Sequence, residues 1–212
     1  MRDLVIFGAG GYGREVRQVV EDVNADASEW NLAGFLDGDP ALHGQAVRDL
    51  PVLGGPEWLD GRGDVAVALA VGGPAGRRAV AERIGAARCA TLVHPGAWIG
   101  NHVALGTGTI VLAGVTVSTD IAIGDLVCLN KNCIVGHDAV IGRYATISPG
   151  ASISGYVRVG EGCDVGANSV IVQGHAVGDW SVVGAGAVVT KDLPAGVTAV
   201  GVPARVIKAR DA

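Results

Sequence analysis

The chain has 212 residues, of which 49% are hydrophobic and only 4% aromatic, with 34 glycines and a formal net charge of -5. So high an aliphatic content excludes a disordered chain, and glycines without a strict three-residue period exclude collagen. A mildly acidic balance without gathered Lys and Arg argues against nucleic acid, whose phosphates must be neutralised from one face.

Met1-Arg2-Asp3 leads into Leu4-Val5-Ile6-Phe7, a run too short for the apolar core of a secretion signal. No stretch approaches the roughly 20 apolar residues of a membrane span. Cys89, Cys128, Cys133 and Cys163 show no C-x-x-C spacing, so neither a zinc site nor a disulfide framework is expected. The predicted compartment is the reducing cytoplasm.

Residues 4–7 read as a short buried strand. Gly8-Ala9-Gly10-Gly11-Tyr12-Gly13 follows, and Val16, Val19 and Val20 then fall at helical spacing. Gly8, Gly10 and Gly13 satisfy G-x-G-x-x-G, which turns backbone N–H groups and a helix N-terminus toward a phosphate. The competing reading is a turn that only packs strand against helix. Residues 32–36 predict a second strand, ending in Asp37-Gly38-Asp39-Pro40, about where a ribose-binding carboxylate falls in a dinucleotide fold. Residues 65–71 predict a third, fully buried strand that passes through Gly72-Gly73-Pro74 into a helix over 75–84. Residues 1–88 thus form a truncated Rossmann-like α/β domain, about half of a dinucleotide domain, for which a mononucleotide is a better fit than NAD. Its candidate substrate contacts are Gly8, Gly10, Gly11, Tyr12, Gly13, Asp37 and Gly72.

From Val93 the pattern changes to a step of six. Val93, Ile99, Leu105, Val111, Val117, Ile123, Leu129, Val135, Ile141, Ile147, Ile153, Val159, Val165, Ile171, Val177, Val183 and Val189 are all aliphatic. Were a third of residues aliphatic, such a run would arise by chance about once in 10⁸. The residue four further on is usually small or β-branched, as at Ala97, Thr109, Cys133, Ala139, Ala151, Cys163, Ser181 and Ala187. Glycine often follows the aliphatic position, as at Gly100, Gly106, Gly124, Gly136, Gly142, Gly160, Gly166, Gly178 and Gly184.

A period of six is neither helical nor that of a flat strand. It fits one short strand and one corner per hexad, with three hexads closing a triangular coil whose aliphatic residues point inward and whose stacked strands form parallel sheets. The glycines are expected to relieve the corners. Residues 89–212 are therefore read as a parallel β-helix domain of about five and a half coils, without a long inserted loop. His137 follows Gly136, two residues after the inward Val135, so it should face outward at a corner. In a trimer of triangular prisms such corners line the grooves between subunits. An imidazole there can take the proton from an attacking amine or hydroxyl and pass it to a leaving thiolate, with no acyl-enzyme required. The bland alternative is a solvated corner residue. His94 and His175 read as structural, and His43 and His102 carry no signal. The histidines lack the spacing of three convergent zinc ligands, so no metal is expected.

The glycine turn, Phe35-Leu36-Asp37, the hexads and the closing Gly201-Val202-Pro203-Ala204-Arg205 occur in the order seen in bacterial acyltransferases of the PglD and NeuD type, and nearly the whole chain resembles that family. The resemblance implies a left-handed helix, a homotrimer, and transfer of acetyl from acetyl-CoA to the 4-amino group of an NDP-linked 4-amino-4,6-dideoxy sugar. O-acetylation of a sialic acid-type sugar is the alternative within the family. A non-enzymatic, nucleotide-sugar-binding scaffold is the alternative outside it. The most specific local match is Leu129-Asn130-Lys131-Asn132-Cys133-Ile134-Val135-Gly136-His137-Asp138. By that likeness His137 is the catalytic base, Asp138 its supporting carboxylate and Asn130 a polar group near the acceptor. The resemblance likewise implies that the backbone N–H of Gly155 meets the thioester oxygen. Thr146, Gly184, Gly186, Pro203 and Arg205, with Lys208, are the implied CoA contacts. Many relatives carry His where this chain has Tyr12 and Thr146.

Overall fold

The computed structural model describes residues 1–209. The first part is a five-stranded sheet of order β3-β4-β2-β1-β5, built from β1 (Arg2–Phe7), β2 (Trp30–Leu36), β3 (Ala46–Val47), β4 (Leu50–Gly54) and β5 (Ala66–Leu69). All pairs are parallel except β3 with β4. Helix α1 (Gly11–Ala27) packs Val16, Val19 and Val20 on the face of Leu4 and Ile6, whereas α2 (Pro74–Ile84) meets the opposite face, that of Val5 and Phe7, through Ala81. Both faces are covered, so β1 reads as a continuous apolar run rather than an alternation.

The sheet has two strands more than the three expected from sequence. In β4 the burial alternates weakly and Pro51 interrupts the run, and proline normally demotes a strand reading. The third expected strand is shorter than residues 65–71, because the chain leaves the ladder after Leu69, with the Ala70 N–H still bonded to the Phe7 carbonyl at 2.8 Å. The linker is not free: the Ala90 N–H donates to the Val67 carbonyl at 2.8 Å, and the first strand of the second part starts at Leu92.

The second part is a left-handed parallel β-helix with three faces. Along the second face the inward residues Val117, Val135, Ile153 and Ile171 sit in register in successive coils. They are fully buried, as are Leu129, Ile147 and Val165. Each such aliphatic side chain contributes about 1.5–3 kcal/mol relative to its exposed state. The small fourth residues, Cys133, Ala139, Ala145, Ala151 and Cys163, are equally buried, filling the narrow angles of the triangle.

The reason for the glycines after the aliphatic positions differs from the one expected. The corner residue with positive φ comes two residues later, and it is usually not glycine: Asn132, Asp138, Tyr144, Tyr156 and Trp180 all have φ between 58° and 62°. A Cβ on Gly142 would instead lie 2.5 Å from the Glu161 nitrogen of the next coil, and one on Gly106 2.4 Å from the Asp125 nitrogen. These glycines let coils stack closely.

The outward side of the first face is covered by the α/β part. Leu92, Ile110, Cys128 and Thr146 form one register column there and are all at most 7% exposed. Ile110 and Leu92 share a core with Val16 and Phe35. The final strand, Arg205–Ala209, folds back antiparallel on Val197–Val200 at the end of this face. Among the described residues no helix is long and apolar enough to cross a membrane.

Candidate active site

The corner between the second and third faces carries His137. Asp138 has φ 59°, and this left-handed turn folds its carboxylate back onto the preceding ring, with Nδ1 2.8 Å from Oδ2. An ionised carboxylate only accepts, so Nδ1 carries the proton and the Nε2 lone pair is free to act as a base. His137 and Asp138 are both about half exposed, 47% and 42% at the side chain. The ring lies over Gly155 one coil further on, where a Cβ would come within 2.7 Å of it. Tyr156 closes one side edge-on, 5.1 Å between centroids at 89°, and its N–H donates to the His137 carbonyl at 2.9 Å. Among the described residues the Gly155 N–H has no hydrogen-bond acceptor, leaving a donor beside the imidazole. Sequence reasoning missed Tyr156, because an aromatic at a left-handed corner follows no simple pattern.

The glycine turn lies over the first face: Tyr12 of the turn is buried beside Cys128, and Glu15, one helical turn on, pairs with Lys131. Gly8 (φ +110°) and Gly13 are sterically obligatory: a Cβ would sit 2.5 Å from the Ala70 oxygen and 1.8 Å from the Gly8 oxygen respectively. Gly10 and Gly11 are open, and Gly10 caps α1 with no side-chain hydrogen bond. That helix N-terminus therefore offers backbone N–H groups to an anion. Asp37 accepts from the Ala9 N–H at 2.8 Å and from the Asp39 N–H at 2.9 Å, tying the glycine turn to the end of β2. A cavity of about 360 Å³ opens over the C-terminal ends of β1, β2 and β4, lined by Phe7, Gly38, Pro40, His43, Glu57 and Arg83. Ligands of open α/β sheets bind at this edge. His43, without signal in the sequence, is fixed there by its Nε2 contact of 2.8 Å with the Asp37 carbonyl.

Tyr12 turns away from this opening. Its hydroxyl is buried near the Cys128 thiol without a hydrogen bond of good geometry, and burial holds its pKa well above the ordinary value. Only its backbone is available at the turn. Thr146, expected at CoA, is instead 7% exposed beneath the α/β part, where its hydroxyl donates to the Gly72 carbonyl at 2.9 Å. That hydroxyl also accepts from Arg77, which no sequence motif marks. Asn130 sits at the corner between the first and second faces and donates to the Ile147 carbonyl at 3.0 Å. Beside it, Lys131 pairs with Glu15 of α1 at 2.7 Å.

Gly184 lies at Asn130's corner three coils further on, and Gly186, Pro203 and Arg205 are near that end. Arg205 and Lys208 are exposed on the last strand. The candidate residues thus divide between two corners. His137, Asp138 and Gly155 occupy one; Asn130 and Gly184 share the other, beside which α1 reaches Lys131 through Glu15. Between and around them the second and third faces expose Trp98 (59%), Ile134 (48%), Val140 (41%) and Tyr156 (53%). Among the described residues no hydrogen bond or ion pair joins His137 to the glycine turn or to Asn130.

Two further histidines make structural contacts. His94 Nδ1 accepts from the Gly96 N–H, so its Nε2 carries the proton that bonds Asp22 of α1 at 2.9 Å. His175 pairs with Asp192 at 3.1 Å. Burial pushes the thiols of Cys89 and Cys163 up to about 11 and Cys133 up to about 12, so none is a thiolate nucleophile at neutral pH. Among the described residues no group of three or more His, Cys, Asp and Glu converges on a metal-sized site.

The PglD N-terminal domain family matches residues 3–84. The six-repeat bacterial transferase hexapeptide family matches 138–173, and the hexapeptide repeat of succinyl-transferase matches 156–191. Perosamine N-acetyltransferase from Caulobacter crescentus, solved as a point mutant with CoA and GDP-perosamine, is 30% identical with a TM-score of 0.87 over 97% of each chain. The chain belongs to the PglD-type family of hexapeptide-repeat acetyltransferases. A second member, the acetyltransferase domain of PglB from Neisseria gonorrhoeae FA1090 in complex with acetyl coenzyme A, is 29% identical with a TM-score of 0.86, covering 97% of this chain and 99% of that one. UDP-N-acetylbacillosamine N-acetyltransferase of Bacillus subtilis (strain 168) is 34% identical over 126 residues, 53% of this chain. That match spans about half, 52%, of the length of the curated relative.

Proposed function

We propose that this chain transfers the acetyl group of acetyl-CoA to the 4-amino group of an NDP-linked 4-amino-4,6-dideoxy sugar, with His137 as general base. The observation that carries the reading is the pinned imidazole: Nδ1 held by Asp138 at 2.8 Å, Nε2 free, and the Gly155 N–H alongside. The acceptor amine attacks the thioester carbonyl as Nε2 takes its proton. The tetrahedral oxyanion accepts from the Gly155 N–H, and the imidazolium returns the proton to the CoA thiolate as the C–S bond breaks. The open N-terminus of α1 and the cavity beside Asp37 hold the nucleotide diphosphate. The division of residues between two corners supports a homotrimer in which one copy lends His137 and Gly155 and its neighbour lends the glycine turn and Asn130. Buried free thiols suit the reducing cytoplasm.

Amine rather than hydroxyl acylation is favoured because a free sialic acid needs no nucleotide cradle, and because two relatives are named for N-acetylation of nucleotide-linked or amino sugars. The test is product analysis by mass spectrometry with acetyl-CoA and UDP-, GDP- and dTDP-linked 4-amino sugars beside sialic acid. Amide formation on a nucleotide-linked amino sugar is expected. Acetyl found on oxygen alone, with every amino sugar untouched, sinks the proposal.

A further inference from the structure

Among the described residues Arg77 is the largest fully buried side chain, at 0% exposure. From α2 it reaches across the boundary between the two parts. Nε donates to the Leu126 carbonyl at 2.8 Å, and Nη2 to the Tyr144 carbonyl at 2.6 Å, the Ala145 carbonyl at 3.1 Å and the Thr146 hydroxyl at 2.9 Å. Nη1 donates to the carbonyls of Val71 and Gly72 at 2.6 and 2.9 Å. The Thr146 hydroxyl then donates to the same Gly72 carbonyl. Asp164 follows Thr146 on the same face in the next coil.

A guanidinium stays charged at any working pH, and burying it is unfavourable unless its donors are met. Joining two parts of a protein does not require this, since apolar residues of similar volume often do it as well or better. What a rigid five-donor fork adds is direction. In a trans peptide the C=O of one residue and the N–H of the next point to opposite sides. With the carbonyls of Val71 and Gly72 drawn to Arg77, the N–H groups of Gly72 and Gly73 are turned away from it, and among the described residues neither donates to an acceptor. This loop adjoins the glycine turn: the Ala70 N–H bonds to the Phe7 carbonyl, and Gly8 packs on the Ala70 oxygen.

From this we infer that Arg77, with Thr146, is a positioning residue for the nucleotide-linked substrate. It sets the two peptide planes over 71–73 so that their N–H groups face the binding edge, and it fixes that edge at one height along the β-helix. The inference rests on the proposed function above. It is tested on the full-length protein with Thr146→Val, which keeps the side-chain shape and loses the hydroxyl, and with Arg77→Lys, which keeps the charge and loses the fork. KM for the best nucleotide-linked amino sugar of the panel is expected to rise five- to tenfold in both, with KM for acetyl-CoA and kcat within about twofold of the native protein. Should Arg77→Lys fail to fold, Thr146→Val decides. Unchanged KM for the sugar nucleotide, with only melting temperature or active fraction reduced, would reduce the pair to an interdomain strut and overturn the inference. A native chain that binds no nucleotide sugar overturns the functional reading, and this inference with it. Native binding with unaltered variants overturns the inference alone.

Discussion

The two corners that bound the third face of the β-helix share one backbone and meet opposite surroundings. Asp138 has φ 59° and Tyr144 φ 62°, at equivalent hexad positions. At the first corner the side chains stand in the open, with a His–Asp pair half exposed and Tyr156 edge-on. The second is roofed by the α/β part: Tyr144 is 7% exposed, and its carbonyl and that of Ala145 are held by Arg77. The repeat therefore dictates where a corner residue sits, but what covers the corner decides whether it serves chemistry or cohesion.

Substitutions should separate the two corners cleanly. At the open corner His137→Ala is expected to lower kcat by about 10²–10⁴ with little change in melting temperature, because it removes the base from a side chain that is already about half exposed. Steady-state kinetics beside a thermal melt reads both. At the roofed corner Tyr144→Ala should do the reverse, costing on the order of 3–5 kcal/mol of stability by denaturant unfolding while kcat of the folded fraction holds. A large kcat loss there without loss of stability would erase the distinction.

A smaller and sharper effect is expected from Gly155→Ala. Its Cβ would meet the His137 ring at 2.7 Å, so the imidazole must move, and a displacement of about an ångström costs up to roughly 10² in rate. Substrate KM values should change little. A fully active Gly155→Ala would mean that the ring's position over this coil is immaterial.

The most gradual effect concerns the buried thiols. Burial raises Cys89 and Cys163 to about 11 and Cys133 to about 12. A thiol whose folded pKa lies above its unfolded value stabilises the fold fully below the unfolded pKa, and that contribution is lost as pH climbs toward the folded value. The thiols' contribution to stability should thus be flat from pH 7 to about 8.5 and fall above it, by up to about 1.4 kcal/mol per pH unit for each thiol. Urea melts from pH 7 to 10 follow this, and unfolding free energies that rise above pH 9 would contradict it.

Much of this was legible in the sequence because burial in a β-helix is strictly periodic. The inward positions from Val111 to Val189, the outward placement of His137 and the strand–glycine–helix start all follow from spacing. Residues whose partners are distant in the chain were not legible. Arg77 looks like any helical arginine until Tyr144 and Thr146 are brought beside it, and Thr146 was expected at CoA because nothing local announces the domain that covers the first face. The weakly alternating β4, broken by Pro51, gave too little periodicity to read. The stacking glycines were located correctly but for a different cause, since contacts between coils, rather than the turn at each corner, exclude the Cβ.

The central claim is that base and nucleotide cradle meet only between copies. Two inactive variants test it together: His137→Ala, and Gly10→Asp. At Gly10, φ is -78° and no atom lies within 4 Å of a Cβ, so aspartate should cap α1 and place its carboxylate where the diphosphate belongs. Co-expressed in equal amounts and assembled at random, the two should regain about one quarter of native activity, since a competent site draws its base from one variant and its glycine turn from the other. Activity that stays at the background of either variant alone would contradict a site shared between copies.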